Sequence, residues 1–376
     1  MIYFDNAASS KIDKDVLDVF YNESINNFAN SSANHLLGQN LNNNINRFKK
    51  EILESFKLNS ANYDVIFTSG ATEANNLAIF GSIKKYKNRG NHIITSNIEH
   101  PSVLNCFKKL ESDGFNVTYL SINNDGLINL NELKNAITKD TFLISLMGVN
   151  NEVGNILNLK EVQEIIKNYP KIILHSDLAQ AVGKVSFDYT LFDMFTISSY
   201  KIYGLKGSGA LIKKKKIQLE PILCGGNQQD GLRSGTLDYP SISAFTYAII
   251  KARKNELINY KKVKEVYDYL KEELLKIEGI KVHLVKNPSP YIINFSLLDK
   301  KASVVIEDLS NKGIYLSTKS SCSEKIKASS HVIYALTNSD IEALNSIRLS
   351  LGKDNTIEEA KKFIEELKDT LSKIKG

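Results

Sequence analysis

At 376 residues the chain exceeds the usual size of one domain, so two lobes are expected. Hydrophobic residues make up 42% and charged residues 24%, a balance that excludes the disordered and collagen-like classes. A net charge of +6, from 48 basic and 42 acidic residues, is too diffuse to argue for direct nucleic-acid binding.

In chain order, the opening Met1-Ile-Tyr-Phe-Asp-Asn-Ala-Ala8 lacks a basic region followed by a long apolar run, so no leader is expected. No stretch approaches the roughly 20 apolar residues that span a bilayer, and no membrane partner is expected. Short β-branched apolar runs mark strands at Val65–Ser69, His92–Ser96, Val117–Leu120, Phe142–Met147, Ile172–Ser176, Met194–Ser198 and Ala210–Ile212. Helical spacing lies between several of them, as at Leu159–Asn168. That alternation argues for a mostly parallel α/β sheet, whose ligands bind at the carboxyl ends of strands. The basic run Lys213–Lys216 reads as a solvated turn or edge strand. Beyond it, residues 241–277 read as a long helix, followed by strands at Ile280–Val285 and Ile292–Leu297. A last amphipathic helix carries Ile357, Ala360, Ile364, Leu367, Leu371 and Ile374 on one face, with Thr356 and Glu359 as a capping box. A second, α+β lobe is therefore expected after about residue 255. The cysteines Cys106, Cys224 and Cys322 are far apart and odd in number, which argues against a disulfide framework and for a reducing cytoplasm.

Three segments carry candidate chemistry. In Phe67-Thr-Ser-Gly-Ala-Thr-Glu-Ala-Asn75 a strand gives way to a helix whose first N–H groups, with Thr72, suit a phosphate. In Ile172-Ile-Leu-His-Ser-Asp177 a strand ends in a carboxylate, which beside a pyridine nitrogen keeps that nitrogen protonated. In Phe195-Thr-Ile-Ser-Ser-Tyr-Lys201 a lysine follows a strand at the ligand edge, where partial burial favours the free amine that forms imines. Taken singly, these features equally fit an ordinary βα turn, a helix-capping aspartate and a surface lysine.

Together they do not. The strings Thr68-Ser-Gly-Ala-Thr-Glu73, Glu99-His100, Val149-Asn-Asn-Glu-Val-Gly154, Ser198-x-x-Lys201-Ile-Tyr-Gly204 and Arg233-Ser-Gly-Thr-Leu237 occur in order within a chain running from Tyr3-Phe-Asp-Asn-Ala-Ala8 to Ser346-Ile-Arg-Leu-Ser-Leu-Gly352. This pattern closely resembles the NifS/IscS-like cysteine desulfurases, in the class V aminotransferase group of fold-type I enzymes dependent on pyridoxal 5′-phosphate (PLP). The resemblance implies a large PLP-binding domain over residues 12–255 with a seven-stranded, mostly parallel sheet. It implies a small α+β domain from residues 1–11 and 256–376, which carries the loop of the catalytic cysteine. Lys201 is implied to hold PLP as a Schiff base and to act as base at the substrate Cα. Asp177 pairs with the pyridine nitrogen, Gln180 lies at the ring hydroxyl, and His100 stacks on the ring as a catalytic proton relay. Ala71, Thr72, Ser198 and Tyr200 hold the phosphate, with Thr236 from the other subunit of a homodimer. Asn151 also matches a cofactor contact, and Arg348 clamps the carboxylate of L-cysteine. Cys322 is the nucleophile that takes the sulfur as a persulfide, for delivery to an iron–sulfur scaffold or a tRNA-thiolation enzyme.

Cys322 stands in the polar stretch Leu316-Ser-Thr-Lys-Ser-Ser-Cys-Ser-Glu-Lys-Ile-Lys-Ala-Ser-Ser330, which reads as an exposed loop. Its neighbours Lys319, Lys325 and Lys327 favour a thiolate. Cys106 and Cys224 read as structural. The chain departs from the family in three places. Tyr200 stands where the family usually has His, and tyrosine donates a hydrogen bond but carries no positive charge. Lys319-Ser-Ser-Cys322 replaces Gly-Ser-Ala-Cys, and Asn30-Ser-Ser-Ala-Asn-His35 lacks the usual proline. Two further readings stay open at this level. One is a selenocysteine lyase or another class V lyase or aminotransferase. The other is a sulfur-relay scaffold with weakened catalysis.

Overall fold

The computed structural model describes residues 1–318 and 329–374. In chain order it opens with strand β1 (Ile2–Tyr3) and helices α1 (Lys14–Asn26) and α2 (Leu36–Ser55). Then come β2 (Tyr63–Thr68), α3 (Ala71–Tyr86), β3 (His92–Ser96), α4 (Pro101–Ser112), β4 (Asn116–Leu120), α5 (Leu130–Ala136), β5 (Thr141–Ser145), α6 (Leu159–Ile166), β6 (Ile173–Asp177), β7 (Met194–Ser198) and β8 (Gly209–Lys214). The long α7 (Tyr239–Leu274) leads to β9 (Ile280–Val282), β10 (Ile292–Leu297), α8 (Ala302–Asn311), β11 (Ile314–Tyr315), α9 (His331–Thr337), α10 (Asp340–Leu344), β12 (Ser346–Ser350) and α11 (Ile357–Lys373).

The expected seven-stranded sheet is present, in the order β2-β8-β7-β6-β5-β3-β4. Strands β7, β6, β5, β3 and β4 run parallel, while β8 runs antiparallel to both β7 and β2. The short turn from β7 to β8 explains the reversal, because a tight connection can only join antiparallel neighbours. Apolar side chains alternate between the two faces. Phe67, Ile94, Leu174, Phe195 and Ile212 enter one core, whereas Ile66, Ile93, Ile173, Met194 and Leu211 enter the other. Both faces are thus covered, as a mainly parallel sheet requires.

A second core forms around the antiparallel sheet β12-β10-β9. Ile2, Phe4 and Ala7 pack there, alongside Phe363, Ile364 and Leu367 of α11. Helix α7 serves both cores: Tyr239 to Ala252 pack against the large sheet, and Val263 to Leu274 against the small one. The Thr356–Glu359 capping box forms as expected. Of the basic run, Lys215 and Lys216 form an exposed turn, as expected, but the first half departs from expectation. Lys213 and Lys214 belong to β8, an inner strand, and Lys213 is buried with its amine donating to the Ile217 carbonyl at 2.9 Å. The long methylene stem lets the amine reach that carbonyl at the strand end. No helix among the described residues is long and apolar enough to cross a membrane.

Candidate active site

The carboxyl ends of β2, β6 and β7 converge on one cleft of about 240 Å³. At its floor, β2 stops at Thr68 and α3 starts at Ala71, so the unpaired first-turn N–H groups of Ala71 and Thr72 open onto the cleft. Ser198, at the end of β7, is buried and its hydroxyl has no partner among the described residues. Opposite it, a Cβ on Gly209 would lie 2.7 Å from the Gly70 Cα, so only glycine lets β8 approach this turn. Glu73 braces the turn. Its carboxylate accepts from the Ser69 N–H at 2.7 Å and from Arg233 at 2.7 and 3.2 Å. Burial raises the Glu73 pKa, but the hydrogen bonds from Arg233 and Ser69 outweigh it and hold the group below the ordinary value.

Lys201 follows β7 in a tight turn. Its amine donates to the Ala7 carbonyl and, at 2.8 Å, to the Ala8 carbonyl, and lies 4.5 Å from the Tyr200 ring centre. Asp177 ends β6 buried, accepting from Asn75 Nδ2 at 2.7 Å and from the Ala179 N–H at 2.9 Å. The same Asn75 amide donates to Ser102 Oγ at 2.9 Å, and Ser102 Oγ lies 2.8 Å from His100 Nδ1. A polar chain therefore joins Asp177 to His100. His100 caps α4 ahead of Pro101. Burial is the main force that lowers its pKa. Lys201 adds to this and Asp177 opposes it, so the ring is neutral at neutral pH. Beside it, Glu99 is fully buried, accepting from Ser96 Oγ at 2.7 Å and the Met147 N–H at 2.9 Å. Burial pushes its carboxyl up to about 8.

Arg348, from β12, closes the cleft. It is 1% exposed, and its guanidinium donates to the Asn151 carbonyl at 2.9 Å, Asp5 Oδ1 at 2.9 Å and Ser317 Oγ at 2.8 Å. Its Nε–H faces no partner among the described residues, leaving a charge-assisted donor for an incoming carboxylate. Gln180 donates from Nε2 to the Ala7 carbonyl at 2.9 Å and accepts at Oε1 from Lys184 at 2.7 Å.

Nine residues marked in the sequence thus line one cleft: Ala71, Thr72, His100, Asn151, Asp177, Gln180, Tyr200, Lys201 and Arg348. Thr236 is exposed and does not line it, and Cys322 lies outside the described residues, as do Lys319, Lys325 and Lys327. Sequence reasoning missed Asp5, Asn75, Ser102 and Lys184. Two of them left a signal: Asp5 lies in the Tyr3–Ala8 string, and Asn75 is an amide among the apolar positions of α3. Cys106 is buried with its thiol pushed up to about 12 by burial, while Cys224 is exposed. The groups gathered here can hold a multiply charged anion at the α3 terminus, a cationic ring nitrogen at Asp177, a carbonyl carbon at Lys201 and a carboxylate at Arg348.

Residues 2–363 match the family model described as aminotransferase class-V. A NifS/IcsS protein homolog of Lactobacillus delbrueckii subsp. bulgaricus is 37% identical over 97% of this chain and 95% of its own length. Cysteine desulfurase IscS 1 of Archaeoglobus fulgidus is 34% identical over 100% of this chain and 98% of its own length. A solved NifS-like protein superposes with a TM-score of 0.92 at 29% identity, covering 99% of this chain and 100% of that one. With its cleft built on the same motifs that run in order along the sequence, the chain belongs to the class V aminotransferase family, in its NifS/IscS-like group.

Proposed function

We propose that the chain is a PLP-dependent cysteine desulfurase. The observation that carries this reading is the convergence of Lys201, Asp177 and the α3 terminus on one cleft, with the Arg348 Nε–H left without a partner among the described residues and so open to a substrate carboxylate. The donor set fits the cofactor. The phosphate would rest on the N–H groups of Ala71 and Thr72 and on the Ser198 hydroxyl, which has no partner among the described residues, with Tyr200 beside it. Asp177 would hold the pyridine nitrogen protonated, Gln180 and Asn151 would flank the ring, and Lys201 would carry the carbonyl carbon. When bound, PLP supplies an electron sink for charge developing at the substrate Cα.

The protein residues do the rest. Arg348 binds and orients the carboxylate of L-cysteine. Lys201 takes the Cα proton, and neutral His100 accepts or returns one proton at the ring face. Cys322, assigned from its sequence context, attacks the substrate sulfur. The carbon–sulfur bond breaks, a sulfur–sulfur bond forms, and the products are L-alanine and a persulfide on Cys322. We further assign residues 12–255 to a large PLP-binding lobe, and residues 1–11 with 256–376 to a small one. In a homodimer, the exposed Thr236 would complete the partner's phosphate site. The persulfide would pass to an acceptor protein in a reducing cytoplasm.

Purified protein given PLP and L-cysteine should release alanine in step with sulfide. Lys201→Ala should lose both the visible colour and the activity, and Cys322→Ser should keep the colour and lose alanine release. Full desulfurase activity in Cys322→Ser refutes the nucleophile. Failure to take up PLP or form alanine favours a sulfur-relay scaffold, and a strong preference for selenocysteine favours a lyase of that substrate.

A further inference from the structure

Lys184 has no part in the mechanism above, yet it is 5% exposed and sits against the site. Residues 178–185 form a helical turn, with Val182 N–H bonded to the Leu178 carbonyl and Val185 N–H to that of Ala181. Across this turn the Lys184 amine donates to Gln180 Oε1 at 2.7 Å. Gly183 locks the turn: its φ is +70°, and a Cβ there would lie 2.7 Å from the Ala252 Cβ. With Oε1 held by an amine, Gln180 must point Nε2 the other way, and that end donates to the Ala7 carbonyl at 2.9 Å. The same carbonyl accepts from Lys201. A buried line thus runs from Lys184 through Gln180 and Ala7 to Lys201. Behind it lies a second cavity of about 130 Å³, which Lys184 and Lys201 both border. The charged and titratable groups facing Lys184 are Lys201 and Arg348 on the site side, and Asp13, Tyr203, Lys251, Tyr291 and Lys353 around this cavity, with the amine 5.9 Å from the Tyr291 ring centre.

We propose that Lys184 is a positioning residue: by fixing the Gln180 amide, whose Nε2 shares the Ala7 carbonyl with Lys201, it lowers the proton affinity of the nitrogen on Lys201. The inference deepens the PLP reading and rests on it. Two effects act in the same direction. While Gln180 occupies the Ala7 carbonyl, that oxygen is a weaker acceptor for a protonated Lys201. Whenever Lys184 is itself protonated, its charge also repels a proton on Lys201. Burial, followed by the charges of Lys201 and Arg348, pushes the Lys184 amine itself down to about 7, consistent with mutual repulsion across the site.

The test follows the visible absorption of the PLP-loaded full-length chain against pH, a reading independent of turnover. Lys184→Met should move the midpoint upward by about one pH unit relative to the unmodified protein. Lys184→Arg, which keeps the charge and the donors and has the adjoining cavity to occupy, should restore the original midpoint. Thermal melting checks folding; if the methionine variant does not fold, Lys184→Gln takes its place with the same upward shift expected. An unchanged or lowered midpoint in the neutral variant, with normal PLP uptake, overturns the inference and leaves the PLP reading intact. If the unmodified protein takes up no PLP, the PLP reading fails and the inference falls with it.

Discussion

Replacing Asp5 tests how Arg348 is held. The guanidinium is 1% exposed, and Asp5 is its only carboxylate partner within ion-pair distance among the described residues, with NH2 to Oδ1 at 2.9 Å. Asp5 Oδ1 also accepts from Ser317 Oγ at 3.0 Å, so one oxygen neutralises the charge and fixes the hydroxyl beside it. Removing one partner of a buried ion pair costs about 3–5 kcal/mol, because the remaining charge stays buried and uncompensated. Arg348 keeps its bonds to the Asn151 carbonyl and to Ser317 Oγ, which places Asp5→Ala near the lower end, about 3 kcal/mol. Asp5→Asn keeps an acceptor oxygen but also leaves the guanidinium charge uncompensated, so it should recover only the hydrogen-bond part of that cost, about 1 kcal/mol. The chain has no tryptophan, so far-ultraviolet circular dichroism in a urea series is the assay. A change within about 0.5 kcal/mol for Asp5→Ala, the range of an ordinary surface substitution, would refute the argument.

Three further outcomes follow from the charges and burial. Glu73 titrates below its ordinary value in the folded chain, so its contribution to stability is present above the ordinary carboxyl range and lost as pH falls through it. Arg233→Ala should remove most of that contribution, and acid titration by circular dichroism should show a shallower loss for the variant. Glu99 behaves oppositely. Its folded carboxyl stays protonated between 4.5 and about 8 while the unfolded one ionises, so stability falls as pH rises across that window. Glu99→Gln keeps an acceptor for Ser96 and the Met147 N–H without the ionisation, and its stability relative to the parent should therefore grow with pH across the same window, as read by denaturant midpoints. Under native conditions at mildly alkaline pH, iodoacetamide should label Cys224 and spare Cys106. Mass spectrometry of the peptides checks this, and modification of Cys106 without denaturant would contradict its burial.

The sequence alone determined the strands of the large sheet and the order of the motifs, because both are local; β1, β11 and β12 were not legible in it. Alternation such as Val65-Ile66-Phe67 records two buried faces at adjacent positions, and Asp177 and Lys201 follow apolar runs whose ends open on the cleft. What only the tertiary structure decided are contacts between distant positions. The Asp5–Arg348 pair spans 343 residues, Glu73–Arg233 spans 160 and Asn75–Asp177 spans 102. The reversal of β8, which put Lys213 and Lys214 of a run read as a solvated turn or edge strand into an inner strand, depends on which neighbour a strand pairs with. No periodicity records that choice. Lys184 is the sharpest case. Its partner is four residues away, yet whether that lysine points to solvent or into the site depends on the packing of Gly183 against Ala252 in α7, far along the chain.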